Sequence, residues 1–224
     1  MNMVIILILV IEDKGGESMD FDEIDLLDLI QNQVEDGKFS FDQIVDFIHC
    51  SNRIMYLGDI TEGVGSAMDS MIRFWNYEDN KNDIPIEERQ PIKIYIDSNG
   101  GSLVDTFTMI DSISMSKTPV YTICTGSAYS GGFFIFLAGH KRFAYELSSF
   151  LFHEGSTGTS GDAGKFRNFA DFYKKELDKL KSIVLKYTKI SDEEYEKHIK
   201  DDWWFTADEA LKYGICDEIS KELI

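Results

Sequence analysis

The chain has 224 residues, 43% of them hydrophobic, which suits one α/β domain with a short appendage. A formal net charge of −18 argues against nucleic acid or an anionic membrane surface as a ligand. Three cysteines, Cys50, Cys124 and Cys216, form no CxxC pair and no zinc-binding spacing, so they read as reduced thiols of a cytoplasmic protein.

The first element is an apolar run at residues 3–11, far short of the roughly 20 residues that span a bilayer. It lacks the basic start and small-residue cleavage site of a signal peptide, and reads as a short strand. Lys14-Gly15-Gly16-Glu17-Ser18 before Met19 is what a purine-rich ribosome-binding site would encode, so residues 1–18 are open to being non-native. Apolar Ile24, Leu26, Leu27, Leu29 and Ile30 then predict a helix, Asp36-Gly37 breaks it, and Phe41, Ile44, Val45, Phe47 and Ile48 predict a second. Residues 1–51 thus form an N-terminal segment, and 52–224 the main domain.

That domain opens with a strand at 53–57 and a helix at 65–76, followed by a charged, exposed loop at 77–90. Residues 91–96 alternate and are β-branched, which predicts a strand. Ser102 and Asp105 form a capping pair for a helix at 103–115. A strand at 119–124, a helix at 129–138 and strands near 142–144 and 150–152 come next. Residues 163–189 form a long lysine-rich amphipathic helix. Ser191 with Glu194, and Thr206 with Glu209, cap two short final helices. Alternating strands and helices predict an α/β fold with a largely parallel sheet and right-handed crossovers.

Chemistry concentrates at Gly126-Ser127-Ala128-Tyr129-Ser130-Gly131-Gly132, where a strand turns into an apolar helix. The first N–H groups of a helix lack intrahelical partners and carry the positive end of its dipole. A serine there has oxyanion donors at hand, and Gly131 lets the following N–H face the substrate. Small residues equally serve to bring a helix close to a sheet. A serine nucleophile also needs a base and an acid that orients it. Of four histidines, His153 ends an apolar strand, whereas His49, His140 and His198 sit in helical or polar surroundings. Asp202 directly precedes Trp203-Trp204-Phe205, which predicts a shielded carboxylate; an ordinary solvated acid fits the same stretch.

Residues 52–222, about three quarters of the chain, resemble ClpP, the proteolytic subunit family of the Clp protease. The family's Ser-Pro-Gly-Gly-Ser reads Ser98-Asn99-Gly100-Gly101-Ser102, and its Gly-Gln-Ala-Ala-Ser-Met-Gly is the Ser130 stretch above. Its Met-Ile-His-Gln-Pro reads Leu151-Phe152-His153-Glu154-Gly155. Its Asp-x-Phe-x-Ser/Thr-Ala-x-Glu-Ala motif reads Asp202 to Ala210, with one aromatic shifted. The motifs fall in order, with His153 23 residues after Ser130 and Asp202 49 after His153. The resemblance implies a ClpP/crotonase-like β-β-α superhelix with residues 163–189 as a projecting handle. It also implies a Ser130–His153–Asp202 triad and an oxyanion hole from the Gly100 and Gly131 N–H groups, with no metal and no cofactor. A glycine-rich loop at 155–164 would take extended substrate by strand addition. Two stacked heptameric rings would enclose the sites, and a Clp-type ATPase would feed them unfolded polypeptides; the chain has no GxxxxGK[ST] of its own.

Departures mark a divergent, phage-type member. Gly155 replaces a proline, Gly131 replaces the methionine after the nucleophile, and Lys200-Asp201 replaces an Asp-Arg pair tied to ring assembly. The N-terminal segment does not resemble the family's axial loops. Competing readings are an ATPase-independent peptidase for phage assembly, a non-catalytic ring subunit, and a crotonase-type acyl-CoA enzyme.

Overall fold

The computed structural model describes residues 40–224. Its contacts divide the chain into two units, Met1–Asn52 and Arg53–Ile224. The described part of the first is helix α1 (Phe41–Ser51), which Ser40 opens through a reciprocal capping box with Gln43. The expected strand at 3–11, the segment suspected to be non-native and the helix near 20–30 lie outside the described residues.

In the second unit, β1 (Ile54–Leu57), β2 (Ile92–Ser98), β3 (Val120–Tyr129), β4 (Lys141–Tyr145) and β7 (Glu218–Ser220) lie in that order as a parallel sheet. Helices α2 (Val64–Lys81), α3 (Leu103–Met115) and α4 (Gly131–Ala138) connect the earlier strands. β5 (Ser149–Phe152) runs parallel to the far end of β3, and β6 (Trp203–Thr206) runs antiparallel to β5. The long α5 (Ala163–Tyr187), then α6 (Asp192–His198) and α7 (Ala207–Lys212), complete the chain. This is the expected α/β architecture with a parallel-dominated sheet. No described helix is long and apolar enough to cross a membrane.

β3 is longer than expected, ten residues instead of six, and its length shapes the site. Its first half pairs with β4 and its second half with β5. The register against β2 slips between Ile96 and Ser98, so β3 carries extra residues there. Asp97 fills the irregularity by accepting the Ser127 N–H at 2.9 Å and the Ser127 hydroxyl at 2.7 Å. The strand therefore continues through a stretch that reads locally as a turn.

Two other bounds differ. α2 runs on to Lys81, so the charged loop begins five residues later than expected. The cause is Asp79, which is fully buried and accepts hydrogen bonds from Arg53 at 2.8 and 2.5 Å and from the Thr118 hydroxyl at 2.6 Å. α4 starts at Gly131 instead of 129, because Tyr129 still pairs in β3 and Ser130 caps the helix. All eight residues of α4 are buried, as an all-apolar helix requires. The Ser102, Ser191 and Thr206 caps are all formed.

Candidate active site

Ser130 stands where β3 hands over to α4, at φ 51° and ψ −119°. A non-glycine residue at positive φ carries a conformational cost and persists only where its surroundings hold it. Here the Ser130 N–H donates to the Leu151 carbonyl of β5 at 3.0 Å, and the Ser130 carbonyl accepts from Phe133 at 3.1 Å. The Ser130 hydroxyl caps nothing. The backbone is thus held from both sides while the side chain is left free of structural duty.

The glycines around it have packing reasons. A Cβ on Gly126 would lie 2.7 Å from the Asp97 carboxylate, one on Gly131 2.6 Å from Thr106 Oγ1, and one on Gly132 3.0 Å from Ser98 Cβ. Close approach of α4 to the sheet and to α3 is therefore one use of the small residues. It does not exclude the chemical use, because the same approach brings the Gly100-Gly101 turn onto Ser130. A Cβ on Gly100 would meet Gly131 N, Ser130 Cβ and Tyr129 O, each at 2.8 Å.

His153 and Asp202 come together through strand register. β5 and β6 pair Phe152 with Trp203, so the next rung outward sets His153 against Asp202. His153 Nδ1 lies 3.1 Å from Asp202 Oδ1, and an Nδ1–H donated to that oxygen leaves Nε2 as the acceptor. The carboxylate is not shielded as expected: the Asp202 side chain is 58% exposed. The aromatic run beside it alternates, with Phe205 buried and Trp204 facing outward, so it builds a wall on the core side only.

Ser130 and His153 line one cavity of about 310 Å³. No hydrogen bond joins the Ser130 hydroxyl to the His153 ring in this structure. Gly131, at the first position of α4, where an N–H has no intrahelical partner, lines the same cavity. Gly100, the other expected oxyanion donor, makes a local contact here. It is buried, and its N–H donates to Ser98 Oγ at 3.1 Å. Gly101 lines the cavity instead, and its amide nitrogen sits 3.5 Å from where a Gly131 Cβ would be. The floor is apolar, from Leu103, Phe134 and Leu180, and the wall carries Glu154 and Tyr173. Leu103, Phe134, Tyr173 and Leu180 bore no sequence signal of a site, because they converge from α3, α4 and α5.

The other histidines lie elsewhere. His140 accepts the Val120 N–H on Nδ1 at 2.9 Å, and burial pushes its pKa down. His198 stacks on Trp203 with ring centroids 4.1 Å apart. His49 belongs to α1. Among the described residues, His153 is the histidine that lines the Ser130 cavity.

The profile of the Clp protease family matches residues 37–222, reaching further toward the N-terminus than the resemblance read from motifs and taking in α1. With the parallel-dominated sheet and this match over most of its length, the chain belongs to the Clp protease family, as a ClpP-like peptidase.

Proposed function

We propose that the chain is a serine endopeptidase that cleaves unfolded polypeptides through Ser130, His153 and Asp202. The observation that carries this is one cavity lined by Ser130 and His153, with His153 bonded to Asp202. Ser130 Oγ attacks the scissile carbonyl while His153 Nε2 takes its proton. Asp202 holds the Nδ1–H tautomer and stabilises the imidazolium. The oxyanion is met by the Gly131 and Gly101 N–H groups; Gly101 replaces Gly100 because the Gly100 N–H is spent on Ser98. The imidazolium then protonates the leaving amine, and water repeats the sequence on the acyl-enzyme. A Ser130–His153 hydrogen bond that is absent in the free protein is of the kind that forms when substrate binds.

The same reading extends to assembly. The outer half of α5 exposes Phe166 (60%) and Phe172 (57%), apolar surface that a second copy would cover. We assign it to the handle of two stacked heptameric rings that enclose the sites, with residues 155–162 holding extended substrate and a Clp-type ATPase supplying it. Three free thiols, two of them buried, support a reducing cytoplasm.

The test is labelling with a fluorophosphonate probe and mapping of the modified peptide. Label on Ser130, lost in Ser130→Ala together with peptide hydrolysis, is the expected result. Label that persists in that variant removes the assignment.

A further inference from the structure

The cavity beside Ser130 is not a plain apolar slot. Its floor of Leu103, Phe134 and Leu180 is apolar, but Glu154, the residue after His153, lines its wall. No lysine or arginine lines it, and Glu154 is its one carboxylate among the described residues. Glu154 is half-buried, and burial and the Glu196 charge act on its carboxylate with no hydrogen bond or ion pair from a described residue. Its backbone is held in place, since the Tyr173 hydroxyl of α5 donates to the Glu154 carbonyl at 3.2 Å. A half-buried carboxylate without a partner is an unfavourable arrangement in the free protein. Burial, and next the Glu196 carboxylate, raise its pKa above the ordinary glutamate value. An incoming cation relieves both.

We propose that Glu154 selects a basic side chain, Lys or Arg, at the substrate residue whose carbonyl Ser130 attacks. The shape fits as well as the charge. A long cationic side chain lays its methylene stem along apolar surface and keeps its charged head at a polar rim. Leu103, Phe134 and Leu180 take the stem, and Glu154 takes the head. Ser130 itself lines the cavity, which suits it to the side chain of the attacked residue. An acidic side chain at that position meets like charge with no cationic wall to offset it. This inference rests on the peptidase reading above and adds the substrate class to it.

The experiment uses the full chain and four fluorogenic peptides that differ only at the attacked residue: Lys, Arg, Leu or Glu. In the wild type, kcat/KM is expected to rank Lys and Arg above Leu and Leu above Glu. Glu154→Gln should reduce the Lys-to-Leu ratio on the order of tenfold, the scale of one lost specific contact in a pocket. Glu154→Asp should restore part of it, and Glu154→Lys should move the preference toward the Glu peptide. Because each readout is a ratio within one variant, a general loss of activity does not imitate the result. Hydrolysis of all four peptides at similar rates, or a Lys-to-Leu ratio unmoved by Glu154→Gln, overturns the inference and leaves the peptidase reading standing. A chain that hydrolyses none and takes no fluorophosphonate label removes both.

Discussion

At the scale of single residues, the positions that read clearly were those whose role is local. Ser130 announces itself by a strand, a run of small residues and a helix, and His153 by its place at the end of an apolar strand. The contact that holds Gly100 was not legible: Gly100 and Gly101 both have positive φ, 94° and 144°, and the Gly100 N–H donates to Ser98 Oγ. The exposure of Asp202 was equally hidden, because alternation along β6 decides which aromatic shields it. Asp202→Asn should still lower kcat by about ten-thousandfold, since the amide favours the wrong imidazole tautomer. His198→Phe, which retains a ring on Trp203, should leave hydrolysis near wild type; the reverse pattern in a peptidase assay would displace the triad. His140 carries a separate prediction. Its folded pKa is depressed by burial, so its contribution to stability is complete above the unfolded value of about 6.5. That contribution is lost as pH falls from there through the folded pKa, when protonation costs the Val120 bond. Urea midpoints should therefore drop between about pH 8 and about pH 5, and drop less in His140→Gln. Equal drops in the two proteins would speak against it.

At the scale of elements, the helix starts marked by a capping side chain were read correctly because a cap is a contact across three residues. Ser102, Ser191 and Thr206 each accept from the residue three positions on. The end of α2 was not legible, because Asp79 is fixed by Arg53, 26 residues away, and by Thr118, 39 away. A charged residue in a polar stretch looks solvated until its distant partners are known. The extension of β3 failed for the same reason, resting on Asp97 of the neighbouring strand. Asp79 offers a direct measure of such a hidden tie. Burial alone would raise its pKa, but bonds from Arg53 and Thr118 and the Arg53 and Arg89 charges outweigh that and hold it low. Asp79→Asn strands the Arg53 guanidinium and should cost about 3 kcal/mol of unfolding free energy. A urea midpoint unchanged in this variant would show the pair to be dispensable. The lysines of α5 fall into two groups. Lys179 pairs with Glu176 at 2.7 Å, and Lys181 with Asp192 and Glu196 at 2.7 and 2.5 Å, so these two serve the chain itself. Lys165, Lys174 and Lys175 on the outer half are exposed.

At the scale of the whole molecule, −18 charges per chain oppose any ring of identical subunits, and exposed apolar surface on α5 favours one. Burial is worth about 25 cal/mol per Å², and repulsion between distant like charges is screened beyond a Debye length of about 10 Å at 0.1 M salt. Moderate salt should therefore promote assembly. Replacing Phe166 and Phe172 together by Asp should shift sedimentation toward the 25.6 kDa monomer. Wild-type protein that remains monomeric at micromolar concentration across salt would contradict the ring.

The burial of α4 bears on how the enzyme ages. Every residue from Gly131 to Ala138 is buried, so the hydrogen-bonded amides in the later turns of this helix are expected to exchange with deuterium slowly, through openings that disturb the core. Ser130, at the start of this helix, is thereby mounted on a rigid part of the core. Heating should abolish fluorophosphonate labelling at the same temperature as it unfolds the chain, and labelling lost well before unfolding would contradict this.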